Sequence, residues 1–353
     1  MRYLRKTIRA MAGYTPGEQP PPDSRAVKLN TNENPYPPSP RVLRVLGETD
    51  WTILRRYPDP MANKARDAIA ACWGMARDEA LCGNGSDELL AMIVRAAVEP
   101  GEAIAYPTPT YSLFPVLAEV QGARVVEVPS PEDFSIPLDA LAKARAKVLF
   151  LCTPNAPTGV WTPPEDVARL ADRFPGLLVV DEAYADFAPA SAIPAVRGKP
   201  NVLVLRTLSK SCSLAGIRFG YAVGPKDLIA GLAKVKDSYN IDGVTIEVAA
   251  AALGDQAYLR ACVEKVRAER SRLAAALEGL GLRVLPSEAN FLLAAVPGGD
   301  AKGWYEALKA RGILVRYWNQ PRLQDKLRIT VGTPEEDDRL LEALRAQRKG
   351  TRT

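Results

Sequence analysis

The chain of 353 residues is 47% hydrophobic and 25% charged, the proportions of an ordinary folded protein large enough for two domains or one large α/β unit. Its net charge of +5 is spread along the sequence apart from short basic ends, which argues against a nucleic-acid footprint. Histidine is absent altogether, which excludes a Ser-His-Asp triad, a histidine acid–base pair and any histidine-containing metal site.

The N-terminal "MRYLRKTIRAMAGY" is basic but lacks the apolar core of a secretory signal, although its arginines and want of acids are features of organellar transit sequences too. No apolar run approaches the roughly 18–20 residues that span a bilayer, so no membrane partner is expected. Residues 14–40 are proline-rich ("YTPGEQPPPD", "NPYPPSP") and read as an extended arm rather than a packed element.

From about residue 60 helical and strand signals alternate. "MANKARDAIAACWG" is helical and ends at a glycine; "SDELLAMIVRAAVEPG" is a second helix, with Ser86 expected as its N-cap and Pro100-Gly101 as its stop. Strand-like runs follow at "AIAY", "ARVVEV", "KVLFLC", "LLVVDE", "NVLVLR" and "RFGYAV", several of them separated by helical stretches such as "PPEDVARLADRF". The runs are nearly continuously apolar, as strands covered on both faces are. The expected fold class is therefore α/β, a mostly parallel sheet covered by helices.

After about residue 240 a long helix ("AYLRACVEKVRAERSRLAAALEGL") precedes short strands ("RVLP", "NFLLAAV", "ILVRYW", "KLRITVG"). A last helix opens at Thr333-Pro334-Glu335-Glu336, a capping-box pattern. This reads as a smaller α+β domain. The expected division is an arm over 1–40, a large domain over 41–240 and a small domain over 241–353. The five cysteines are scattered and never form a C-x-x-C pair, the pattern of reduced thiols in a cytoplasm.

Open α/β sheets bind ligands beyond the carboxyl ends of their strands, so the residues there carry the functional reading. Asp181 directly follows "LLVV", where it is either a fixed negative partner in a crevice or a cap. Lys210 follows "NVLVLRTLS", as a snorkelling lysine or as an imine-forming amine whose pKa falls on desolvation. Arg218 suits an ion pair or, with Ser209, an anion clamp. "GNGSDELL" offers backbone N–H groups to an anion at a helix start, where Asp87 and Glu88 would also complement the helix without any ligand. Tyr111 is core packing or a platform for a flat ring; Tyr57, in "RRYPDP", is a surface aromatic on its own. Taken together they describe an aromatic ring with an anionic tail, a protonatable nitrogen and an aldehyde, which is pyridoxal 5′-phosphate.

The segments "LNTNENPYPPSP", "RRYPDP", "GNGSDELL", "PTYSLF", "TPNAPTG", "VVDEAYADF", "TLSKSCSLAGIRFGYAVG" and "LRITVGT" resemble those of the fold-type-I pyridoxal-phosphate aminotransferases, and within them the histidinol-phosphate aminotransferase group. The resemblance runs from about residue 14 to 340. It implies a seven-stranded-type sheet and a homodimer with shared active sites. It implies that Lys210 carries the cofactor as a Schiff base and shuttles the proton, that Asp181 pairs with the ring nitrogen, and that Tyr184 bonds the ring oxygen. Tyr111 would stack on the ring, while Ser209, Arg218, Gly85 and Ser86 would hold the phosphate and Asp87 would be a further cofactor-binding residue; Tyr57 would reach the site of the neighbouring subunit. Arg328 and Arg316 would take the substrate anions, with Tyr14 and Asn34 also on the substrate side. The family usually has an asparagine directly before "PTG", where this chain has Ala156: either Asn155 substitutes or Tyr184 holds the ring oxygen with less help. The implied reaction is transamination between L-histidinol phosphate and 2-oxoglutarate. An aromatic or broad-range aminotransferase and a threonine-phosphate decarboxylase are the alternatives.

Overall fold

Alternation along the apolar strands decides which helices lie on which face. β1 (Val27–Lys28) belongs to the arm, and the seven strands after it are β2 (Ala80–Gly83), β3 (Ala103–Thr108), β4 (Arg124–Pro129), β5 (Val148–Cys152), β6 (Leu177–Asp181), β7 (Val202–Thr207) and β8 (Gly220–Val223). They form one sheet in the order β2-β8-β7-β6-β5-β3-β4. Only β8 runs antiparallel to its neighbours. Described here from a computed structural model, the structure covers residues 3–21 and 24–350.

Leu149, Leu151, Leu178, Val180, Val202 and Val204 face one helical layer, while Val148, Phe150, Val179, Leu203 and Leu205 face the other. Each such side chain contributes roughly 1.5–3 kcal/mol on burial. β4 departs from the doubly covered pattern. It is an edge strand with Arg124, Val125 and Glu127 exposed, because nothing packs beyond it. β2 has no counterpart among the sequence runs: "ALCG" is four residues of weak strand preference, and its pairing with β8 makes it a strand.

The long helices lie where periodicity places them, at Asn63–Trp73, Ser86–Ala97, Pro164–Arg173 and Gln256–Gly279. Ser86 is not the cap of its helix. Gly85, at φ +80°, occupies the cap position and Ser86 is the first helical residue. The final helix, Pro334–Gly350, opens with the expected reciprocal bonds, Glu336 N–H to Thr333 Oγ1 (3.2 Å) and Thr333 N–H to Glu336 Oε2 (2.8 Å).

A second, antiparallel sheet combines β9 (Arg283–Val284), β10 (Phe291–Ala295), β12 (Arg316–Tyr317) and β13 (Lys326–Thr330) in the order β12-β13-β10-β9. β11 (Ile313–Leu314) pairs in parallel with β1. The arm is thus not extended throughout. Between its proline clusters, Val27 and Leu29 are buried, and Thr330 N–H donates to Leu29 O at 2.9 Å. The helix Gly243–Leu253, just past residue 240, packs against the helices Pro40–Glu48 and Asn63–Trp73 of the larger sheet.

Asp337 is fully buried beside Glu269 and accepts from Gly332 N–H at 3.1 Å. Burial, reinforced by Glu269, pushes its pKa from the ordinary 3.8 up to about 8. The native chain therefore holds a proton here that the unfolded chain loses near pH 4, so stability declines as pH rises from about 4 through about 8. Asp337→Asn keeps the acceptor for Gly332 and removes that decline. Melting curves should show the variant's Tm several degrees above the parent near pH 8.5 and close to it near pH 4.5. A variant less stable than the parent at the higher pH would contradict this.

Candidate active site

The last residues of β3, β5, β6 and β7, namely Thr108, Cys152, Asp181 and Thr207, open onto one cavity of about 660 Å³. Lys210 lies three residues past the end of β7, and its Nζ donates to Thr31 O at 3.2 Å. Burial first, then the charge of Arg328, lowers its pKa from 10.5 to about 8. About half of the amine is therefore neutral at pH 8, where an ordinary lysine would be almost wholly charged.

Asp181 is 3% exposed and accepts from Ala183 N–H at 3.0 Å. Burial raises its pKa to about 7. A carboxyl held this way binds a nearby proton or cation tightly, because a partner charge offsets the desolvation. Tyr184, three residues on, is buried with its ring 5.7 Å from Lys210 Nζ, and its hydroxyl oxygen accepts from Asn32 Nδ2 at 2.9 Å.

Opposite these groups is a cradle for an anion. Gly85 and Ser86 open the twelve-residue helix Ser86–Ala97, whose first N–H groups have no partner within the helix. Arg218, in left-handed backbone at φ +58°, points Nη1 at Ser209 Oγ (3.5 Å). A Cβ on Gly85 would stand 2.6 Å from Arg218 Nη2, so only glycine lets the guanidinium approach the helix start. Asp87 faces Arg218 at 3.6 Å and accepts from the Tyr111 hydroxyl at 3.0 Å, which holds the Tyr111 ring in the wall. Asp87 thus fixes the wall and balances charge.

Across the cavity, Arg316 and Arg328 stand directly opposite each other on β12 and β13. Arg328 Nη2 donates to Asn30 O (2.9 Å), its guanidinium lies 5.1 Å over Trp318, and its buried Nε has no hydrogen-bond partner among the described residues. Burial lowers its pKa. Arg316 donates to Thr15 O and Pro16 O of the arm at 3.0 and 3.1 Å. Tyr14, beside them, meets the Tyr111 ring edge-on at 6.1 Å.

Three expected residues lie elsewhere. Asn155 is buried, but both its N–H groups are taken, by Pro109 O (3.0 Å) and Thr158 Oγ1 (2.9 Å), and its Oδ1 accepts from Thr110. It braces its loop, and Ala156 faces the cavity instead. Asn34 likewise spends its amide on Lys210 O and Ser211 O (3.0 and 3.1 Å), holding the lysine's loop rather than lining the cavity. Tyr57 is 81% exposed, stacked on Tyr239 at 4.5 Å, and outside this chain's own cavity. Sequence reasoning missed Thr31, Asn32, Trp318 and Arg322, which line the cavity. The run Asn30-Thr31-Asn32 between buried Leu29 and the prolines was the available signal.

The profile described as aminotransferase class I and II matches residues 24–344. Histidinol-phosphate aminotransferase 1 of Nostoc sp. is 48% identical over 343 residues, 97% of this chain and 97% of that protein. Histidinol-phosphate aminotransferase of Citrifermentans bemidjiense is 45% identical over 342 residues, 97% of each. The crystal structure of histidinol-phosphate aminotransferase from Sinorhizobium meliloti in complex with pyridoxal-5′-phosphate matches with a TM-score of 0.84 at 29% identity, over 91% of each chain.

Opposed like charges on neighbouring strands are destabilising unless an anion lies between them. Arg328→Met should therefore leave the Tm of the ligand-free protein unchanged or higher, and abolish the rise in Tm that a dicarboxylate such as succinate produces in the parent. A variant that melts lower yet still responds to succinate would show that Arg328 serves the fold and not an anion.

Proposed function

Because the chain belongs to the class I and II aminotransferases, we propose that it is a pyridoxal 5′-phosphate-dependent transaminase of histidine biosynthesis. It converts L-histidinol phosphate and 2-oxoglutarate to imidazole-acetol phosphate and L-glutamate. The full-length likeness to proteins named histidinol-phosphate aminotransferase supports this reaction.

The residues present fit the cofactor. The Arg218 guanidinium brought against the helix start by Gly85 suits a phosphate, the orphaned Arg328 Nε suits a carboxylate or phosphate of the substrate, and Asp181 is, among the described residues, a buried acid without a cation bonded to it. The observation that carries the proposal is the desolvated Lys210 amine between Asp181, Tyr184 and that cradle. Bound there, the cofactor supplies the electron sink that allows a Cα–H bond of an amine to break. Ser209, Arg218 and the Ser86 N–H would hold its phosphate, the Gly85 N–H being taken by Gly83 O at 2.9 Å; Asp181 would keep the ring nitrogen protonated, Tyr111 would pack on the ring face and Tyr184 would hydrogen-bond the ring oxygen. Lys210 Nζ would take the proton from the substrate Cα and deliver it to the cofactor's aldehyde-derived carbon, so no histidine is needed. Arg328 and Arg316 orient the substrate's anionic groups, and Tyr14 with the arm covers them.

The subunits pair as a homodimer with shared sites, a reading supported by Trp51, Leu54, Tyr57 and Tyr239, all large, apolar and exposed. The working division is arm 1–40, large domain 41–240 and small domain 241–353, supported by the separate sheets, while the helix Gly243–Leu253 packs in the hydrophobic cluster of the larger sheet. The five free cysteines support a cytoplasmic location, and among the described residues no helix is long and apolar enough to cross a membrane. The aromatic walls Tyr14, Tyr111 and Trp318 keep an aromatic amino-acid aminotransferase as the second reading.

Steady-state kinetics with 2-oxoglutarate as acceptor separate the two. kcat/KM for L-histidinol phosphate should exceed that for L-phenylalanine by about two orders of magnitude or more, the discrimination expected of a site built for a charged group. Equal values, or a preference for phenylalanine, would transfer the enzyme to the aromatic class.

A further inference from the structure

The direction of one buried hydrogen bond can be worked out from its neighbours. Asn32 is 1% exposed and sits in left-handed backbone at φ +56°, which asparagine tolerates better than most residues. Its backbone N–H donates to Thr330 Oγ1 at 3.0 Å, and the Thr330 hydroxyl donates back to Asn32 Oδ1 at 3.1 Å. Asn290 Nδ2 donates to Asn32 O at 3.0 Å.

The exchange with Thr330 fixes which end of the Asn32 amide faces Tyr184. Thr330 is buried and, among the described residues, its hydroxyl proton has no acceptor but Oδ1, so the proton goes there and Nδ2 is the end left for Tyr184 Oη. A phenolic oxygen that accepts from Nδ2 keeps its own proton free. Among the described residues, this is the only hydrogen bond of Tyr184 Oη, and both side chains line the cavity.

We propose that Asn32 is a positioning residue: by donating to Tyr184 Oη it fixes the tyrosine hydroxyl as a donor into the cavity, toward the ring oxygen of the cofactor. The inference rests on the transaminase reading above. It also accounts for Ala156, which lines the same cavity with no donor to offer, so that the aim of the Tyr184 proton matters more. Thr330 ends β13, the strand that carries Arg328, so the same bonds tie the tyrosine to the strand that holds the substrate anion.

The test is the pH dependence of the visible absorbance of the lysine-bound cofactor in the holoenzyme, which reads proton binding at the linked nitrogen. Donation to the ring oxygen draws negative charge away from that nitrogen and lowers its midpoint, so losing the donor raises it. Asn32→Gly keeps the backbone conformation and removes the amide. Its midpoint should rise by roughly half to one pH unit, and that of Tyr184→Phe by at least as much. The double variant should rise no further than Tyr184→Phe alone, as expected for residues acting through one bond. Thr330→Val should shift the midpoint in the same direction by less, and it replaces Asn32→Gly in the cycle should that variant fail to fold. An unshifted midpoint with the absorbance band intact, or shifts that add, would overturn the role of Asn32 and leave the transaminase reading standing. Absence of any band in the parent protein supplied with the cofactor would overturn that reading and this inference with it.

Discussion

Cations gathered at one cavity with, among the described residues, no carboxylate in ion-pair contact are the constraint around which this molecule is arranged. Lys210, Arg316 and Arg328 reach one cavity, and their hydrogen bonds run to backbone carbonyls of the arm, at Thr31, Thr15, Pro16 and Asn30. Like charges set opposite each other on neighbouring strands repel, the more so where burial weakens solvent screening. An anionic ligand offsets the repulsion, and the fold holds the charges in place until it arrives.

The sheet supplies the rigidity this needs. Asp181 ends β6 and is held by its ladder to β7, the adjacent parallel strand that Lys210 follows three residues on, and both strands are sealed on both sides. Beneath them Arg206 of β7 pairs with Glu182 and Asp186, and Asp186 also accepts from the Ser211 hydroxyl, next to the lysine. Asn34 closes the loop from the other side by donating to Lys210 O and Ser211 O. A buried ion pair of this kind adds little net stability, but removing one partner leaves an uncompensated charge, so it specifies one arrangement. The low pKa of Lys210 and the high pKa of Asp181 share a cause in burial and differ in sign because one group is charged when protonated and the other when not.

What the sequence made legible followed contiguity. Apolar runs showed the sheet, and polar residues at or just past their ends, Asp181 and Lys210, showed the site, because strand and functional group are joined in the chain. The misses are contacts between distant segments. β2 exists because β8 pairs with it, and Gly85 takes the cap position at φ +80°, with the distant Arg218 packed against it. Asn155 and Asn34 are polar residues in motif segments, and nothing local shows that their amides are consumed by Pro109, Thr158 and the backbone of Lys210 and Ser211. Asn32 was passed over for the converse reason: its partners, Tyr184, Thr330 and Asn290, lie 152 to 298 positions away. Proline content also hid the buried stretch of the arm that carries it.

The central claim is that Lys210 is the amine that carries the cofactor. Borohydride reduction of the protein incubated with pyridoxal 5′-phosphate, followed by digestion and mass spectrometry, tests it directly. The account predicts one stoichiometric label per chain, on the peptide containing Lys210. A label spread over surface lysines, or a stoichiometric label on another residue, would contradict it.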